Sequence, residues 1–262
     1  MRRHVTCFPL LLLAFSILTP YVVAQDDPAG VEDSGVYIRL VTVEVNPADA
    51  QEWEAGVQRI VEAARQSDLD SCCSWLLYRE GPYQYHAVFF SKSLADLDTP
   101  ESFSHAFSGT SGEKAFGEGV RKVQATRYEV KEDVVHQMVS GWSTVDGMST
   151  ATHPKARLTK YWVRPGAEDA FDVAMREHAN LLKAVEYPYP MEGFRWRVGS
   201  PNVNYVIVFP DSWAGFFGKN DIRTLLQRHD REAEYDALLK RIAATVHRVQ
   251  HHDIDYASLL SY

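Results

Sequence analysis

Five side chains stand out as able to do chemistry. His178 interrupts the apolar stripe Phe171, Met175, Leu182 on a segment of helical spacing. An imidazole there can act as a base, a ligand to iron or a donor to a bound carbonyl, or it can be a helix-edge histidine hydrogen-bonded within the core. His86 alternates with Tyr85 on a strand-like segment, and Asn204 lies 118 residues further on, at the corresponding place of a second copy. Each can set one polar group among aromatics on a pocket wall, or face solvent from the other side of its strand. Tyr78 and Trp196, again 118 apart, follow Leu76 and Phe194 by two residues. They put aromatic surface on one strand face, as core or as the wall of a cavity for an apolar, planar ligand. His178 is therefore the candidate catalytic residue, and Tyr78, His86, His178, Trp196 and Asn204 form the candidate ligand-binding set.

Other combinations carry less. His251-His252 beside Asp253 and Asp255 has the composition of a metal cluster. Neighbouring residues on a strand point to opposite faces, however, so both imidazoles share an ion only on an irregular backbone, and the segment reads as an exposed tail. Glu177-His178 lacks the second histidine of the helical zinc-protease pattern. Arg157, Lys160 and Arg164 are too few and too mixed for a phosphate cradle. No metal ligand is assigned. No glycine-rich loop follows a strand, no serine sits in a nucleophile elbow, and neither Cys72 nor Cys73 has a histidine nearby, which leaves nucleotide-enzyme, serine-hydrolase and thioredoxin-like readings without a motif.

The elements that must position these residues occur twice. Val36 to Val45 reads as a strand with Tyr37, Val41, Val43 and Val45 on one face and Ile38 and Leu40 on the other. Asn46 can cap the helix that follows, Pro47 suits its first turn, and Trp53, Val57, Ile60 and Ala64 recur at helical spacing. Ser74 to Arg79 and Gln84 to Ser91 form a hairpin around Gly81-Pro82. Residues 94 to 123 are expected to be irregular, with Phe103, Phe107 and Phe116 turned inward among Gly-bearing turns, and Val123 to Val130 to return as a strand. The order repeats with Ala156 to Val163 as strand, Pro165 to Val185 as helix, Phe194 to Val198 and Asn204 to Pro210 as hairpin, and Asp230 to Arg248 as helix. The tail to Tyr262 is left as a strand or clasp. Gly141 to His153, rich in Ser, Thr and Gly, has the composition of a linker.

This duplicated strand-helix-strand-strand-helix-strand order, with Asn46-Pro47 echoed at Arg164-Pro165 and Tyr78 at Trp196, resembles the dimeric α/β-barrel superfamily. Its members include antibiotic-biosynthesis-monooxygenase-like and stress-responsive domains. The resemblance covers roughly residues 36 to 256. It implies an α+β fold in which two fused ferredoxin-like half-barrels form an intramolecular dimeric α/β-barrel, burying sheet faces that a lone unit would leave open. The chain would then be a monomer containing a pseudo-dimer. The expected divisions are a signal peptide at 1–24, a flexible lead at 25–35, a first repeat at 36–135, a linker at 136–153 and a second repeat at 154–262.

A basic start, an apolar run from Phe8 to Leu18 and Val22-Val23-Ala24 match a secretory signal cleaved near Ala24; the run is short for a membrane span. The protein is expected to be periplasmic or secreted. Cleavage removes Arg2 and Arg3 and takes the formal net charge from −8 to −10, against a nucleic-acid partner. Cys72 and Cys73 remain as reduced thiols, a vicinal disulfide, or links to another chain or ligand. The sequence thus favours an exported ligand-binding or accessory scaffold protein, with a small apolar or aromatic ligand or an exported or membrane-associated protein as partner, and no cofactor. The alternative implied by the resemblance is a small-molecule enzyme similar to cofactor-independent monooxygenases or haem-active barrel proteins, with His178 positioning substrate or ligating haem.

Overall fold

The computed structural model describes residues 33–67, 69, 75–94, 106–145, 153–199, 202–218 and 220–262. The expected signal segment and both Cys72 and Cys73 lie outside the described residues. Strands β1 (Asp33–Val45), β2 (Trp75–Glu80), β3 (Gln84–Ser91) and β4 (Tyr128–Val139) belong to the first half, and β5 (Lys155–Val163), β6 (Met191–Val198), β7 (Val203–Val208) and β8 (Val246–Tyr256) to the second. They pair antiparallel in the order β4-β1-β3-β2-β8-β5-β7-β6, and β6 returns to β4, so the sheet closes on itself. The two runs of four are copies of one pattern. This is a mixed α+β fold with the pseudo-symmetry of two fused ferredoxin-like units.

The alternation expected for β1 sorts its residues between two layers. Ile38 and Leu40 join Tyr78, Val88, Val134, Leu158, Phe194, Tyr205 and Ile254 in a cluster drawn from all eight strands, which is the barrel interior. Val43 and Val45 face outward onto α1 (Ala50–Ser67) and α2 (Glu113–Ala125). In the second half, Val163, Met191 and Val206 face α3 (Glu168–Ala184) and α6 (Glu232–Thr245). Two short helices, α4 (Trp213–Phe216) and α5 (Ile222–Arg228), precede α6. Every long helix therefore lies outside the barrel, and its interior is built from strand residues and Phe209, just past the end of β7.

Three segments differ from the sequence expectation. Residues 113–125 are a helix, and the last strand of the first half begins at Tyr128 and runs to Val139, into the expected linker. Gly119 in this stretch is a helix contact. A Cβ on Gly119 would stand 2.7 Å from the Gly56 carbonyl oxygen and 2.7 Å from Ile60 Cγ1, so α1 and α2 cross backbone to backbone. The expected helix over 230–248 stops at Thr245, where the chain turns extended into β8. Residues 33–35, expected in the flexible lead, begin β1.

Candidate functional site

Most of the polar interior residues gather at one end of the barrel. Antiparallel pairing brings the ends of β1, β2 and β5 to the same level as the starts of β3, β4 and β7. Thr42, Glu80 and Lys160 come from the former, and His86, Glu132 and Tyr205 from the latter; His252 reaches in from β8. Thr42 pairs across the sheet with both His86 and Glu132. Towards the opposite end lie Ile38, Leu40, Val88, Leu158 and Ile207, together with the buried carboxyl of Glu192, which is paired with Ile207.

Glu80, His86 and His252 form the first cluster. Each offers one ligand-type atom, and these atoms all lie within 4.8 Å of one another. A Glu80 oxygen is 2.9 Å from His86 Nε2 and 2.8 Å from His252 Nδ1, and Gln84 Nε2 donates to the same carboxylate at 2.6 Å. His86 Nδ1 is 3.1 Å from the Thr42 hydroxyl, which can donate to the ring or accept from it. Both imidazoles are buried, while Glu80 keeps 30% of its side-chain surface at the mouth. Burial works against the Glu80 charge, but hydrogen bonds from His252 and His86 outweigh it and hold the carboxyl down at about 2. Burial pushes the His86 pKa below its ordinary value, against the pull of Glu80. The site therefore presents an ionised carboxylate and a neutral imidazole, the protonation states a metal requires of its ligands. These three residues can hold a metal ion, with Thr42 orienting one ligand from behind.

A second cluster stands beside it. The Lys160 ammonium pairs with Glu132, their side chains only 8% and 15% exposed, and Tyr205 donates to the other Glu132 oxygen at 2.6 Å. Burial disfavours the Glu132 charge, yet the nearby ammonium and these two donors lower its pKa. Tyr205 stacks on His136 at 4.0 Å between ring centroids, and His136 Nε2 lies 2.8 Å from the Val203 carbonyl oxygen, to which it donates.

Sequence reasoning found part of this. His86 is in the mouth. Tyr78 and Trp196 point into the interior from β2 and β6, Trp196 paired with His136 and Tyr78 with Tyr256. Asn204 is not the counterpart of His86. Thr42 faces His86 and Lys160 faces Tyr205, so Tyr205 takes the equivalent position, one residue beyond the 118-residue offset. Asn204 instead pairs with Tyr161 and accepts a hydrogen bond from the Trp196 amide at 2.9 Å. His178 does not reach the interior, because α3 lies outside the sheet. Its ring lies 5.9 Å from Tyr235 of α6, its buried Nδ1 has no partner among the described residues, and burial pushes its pKa down to about 4.

The residues missed were Glu80 and His252. Alternation on β8 does separate the histidine pair, His251 turning to Thr159 and His252 turning inward, but the partner of His252 is 172 positions away. Glu80, beside the Gly81 turn, reads in sequence as an ordinary solvated turn residue. Haem needs one axial side chain and a slot for the macrocycle. His178 offers an unpartnered nitrogen, yet its ring packs against Tyr235 in the helix layer. The three donors of the mouth converge on one point, which suits a bare cation better; no firm cofactor assignment follows.

Fold and site together define an α+β protein with an eight-stranded antiparallel barrel and a metal-competent cluster in its mouth. Among solved structures the chain is similar to a protein assigned as a monooxygenase from Fusobacterium nucleatum, with a TM-score of 0.52 and 10% identity over 87% of this chain and 94% of that one. It also resembles a chlorite dismutase from Candidatus Nitrospira defluvii, with a TM-score of 0.49 and 11% identity over 87% and 94% of the two chains. At these identities the likeness is one of fold, and only the first is close enough to support that statement. No protein-family model matches the sequence, and no curated protein matches it.

Proposed function

We propose that this chain is a small-molecule enzyme of the oxidative class that works through a divalent metal held by Glu80, His86 and His252. The observation that carries the reading is the convergence of one carboxylate and two imidazoles within 4.8 Å, from three strands and both halves of the chain. Two histidines and one carboxylate are the donor set of non-haem iron oxygenases, which leaves coordination positions open for substrate or dioxygen. The fold likeness to a structure assigned as a monooxygenase supports the same direction. This reading moves the weight from the exported scaffold to the enzyme alternative. Under it, the chain is a tandem member of the dimeric α/β-barrel superfamily, and the two repeats differ because only the first supplies Glu80 and His86. Where those residues stand, the second repeat has Trp196 and Tyr205. Export with cleavage near Ala24 remains part of the proposal.

The test is metal stoichiometry of the full chain after anaerobic reconstitution with Fe(II), read by elemental analysis. One equivalent is expected, falling to background in Glu80→Ala and His252→Ala and unchanged in His178→Ala. Retention of the metal in both mouth variants, or no metal in the unaltered protein, sinks the centre. The reaction class is read separately, as dioxygen uptake by the Fe(II)-loaded protein above that of Glu80→Ala.

A further inference from the structure

The charges around the mouth specify what the metal would bind. Glu80 and Glu132 carry one negative charge each, Lys160 carries one positive charge, and the histidine ligands of a metal are neutral. Without an ion the mouth holds one excess negative charge; with a divalent ion it holds one excess positive charge. Lys160 and Glu132 are nearly enclosed, so bulk water screens this imbalance poorly. A monoanion brings the sum to zero, whereas a neutral ligand leaves the positive charge and a dianion reverses it. Lys160 is also placed to take part. It pairs with Glu132, which lies across the sheet from Thr42, and Thr42 bonds the His86 ring, so the ammonium stands beside the ligand cluster. The single O–H of Tyr205 is spent on Glu132, whereas the Lys160 ammonium has three N–H donors and uses one of them on that carboxylate.

We propose that the metal-loaded mouth binds a monoanionic oxygen ligand, a carboxylate or phenolate, with its charged oxygen between the metal and the Lys160 ammonium. This rests on the metal centre argued above. The acid head enters the polar end of the barrel, and the rest of the molecule stays towards the opening, because the opposite end is filled by aliphatic side chains and the buried Glu192 carboxyl.

The experiment loads the full chain with Co(II) and follows its visible absorption during titration with benzoate, 4-nitrophenolate and benzyl alcohol. Benzoate or the phenolate is expected to change the spectrum saturably, the stronger of the two giving the ligand class, and benzyl alcohol to leave it unchanged. Lys160→Gln removes a positive charge and is expected to weaken anion binding by about tenfold. Glu132→Gln removes a negative charge, retains an acceptor for Tyr205 and is expected to tighten it. A merely structural role would move both variants the same way, and Glu132→Gln carries the test where Lys160→Gln does not fold. Failure to take up Co(II) overturns the metal centre itself. Uptake of Co(II) with equal response to benzyl alcohol, or with both variants shifted in one direction, overturns the monoanion and leaves the centre standing.

Discussion

His136 has no exposed surface, and its surroundings favour the neutral ring. Burial is the main cause and brings its pKa down to about 4, while the Val203 carbonyl and the Glu132 carboxylate pull upward and the Lys160 ammonium pushes further down. An unfolded histidine takes a proton near 6.5. Between those values the unfolded chain binds a proton that the folded chain refuses, so the stability His136 contributes is complete above pH 6.5 and is lost as pH falls through about 4. The difference corresponds to roughly 3 kcal/mol over that window. His136→Phe keeps a ring for Tyr205 to stack on, and denaturant titrations between pH 7 and pH 4 should show a shallower loss of stability than in the unaltered protein, the remaining slope belonging to His86, His153, His178 and His251, which burial also lowers, and to the carboxylates. An unchanged slope would mean that His136 is protonated in the folded state. His136 was invisible in the sequence for the same reason Glu80 was. Its environment is made by β7 and β5, far along the chain, and nothing in the sequence around Val134 to Met138 reveals which alternate side chains turn inward.

The helices show what spacing conveys and where it fails. The stripe on α1 is legible because Trp53, Ile60 and Ala64 are large or apolar at helical intervals. The helix α2 is hidden because part of its contact surface is glycine, which reads as a turn when taken alone. Gly119 and Gly117 separate the two roles. A Cβ at Gly117 meets only Arg121 Nη1 at 3.7 Å, an ordinary contact, whereas one at Gly119 would press into backbone and Ile60 of α1. Alanine gains about 0.5–1 kcal/mol over glycine inside a helix, and overpacking costs about 1–3 kcal/mol. Gly117→Ala is therefore expected to raise the denaturation midpoint and Gly119→Ala to lower it, both read by chemical denaturation; stabilisation by both would show that α1 and α2 do not cross closely. The same local limit explains His178. Its place on an apolar stripe was readable, but a stripe does not say on which side of a sheet its helix packs. It also explains Asn204, since a shift of one residue along the chain exchanges the two faces of a strand.

The closed sheet has two seams between its halves, and they are unequal. Among the described residues, four pairs join β4 to β6, but only Tyr78 with Tyr256 and Arg79 with Asp255 join β2 to β8. The metal-competent cluster straddles this thinner seam, Glu80 and His86 on one side and His252 on the other. What holds it is the segment after β8. Residues 257–262 run along β2, with Ala257 donating to Leu77, Trp75 and Tyr262 exchanging backbone bonds of 2.7 and 3.0 Å, and the Ser261 hydroxyl accepting from the Leu77 amide. Buried Leu260 seats the segment against the outer layer of the first half, and Trp75 Nε1 donates to its carbonyl at 2.9 Å. The clasp expected from the sequence is thus a physical coupling between the site and the duplication. Because His252 is held opposite Glu80 by this closure, loosening it should act on the metal site without altering any ligand. Removal of residues 257–262 is expected to speed hydrogen exchange at the Trp75 and Leu77 amides. It should also weaken metal binding by about ten- to hundred-fold, the range seen when the supports of metal ligands are removed. Exchange that quickens while metal affinity stays constant would mean that β8 keeps its register through β5 alone, whose nine paired positions would then suffice to present His252.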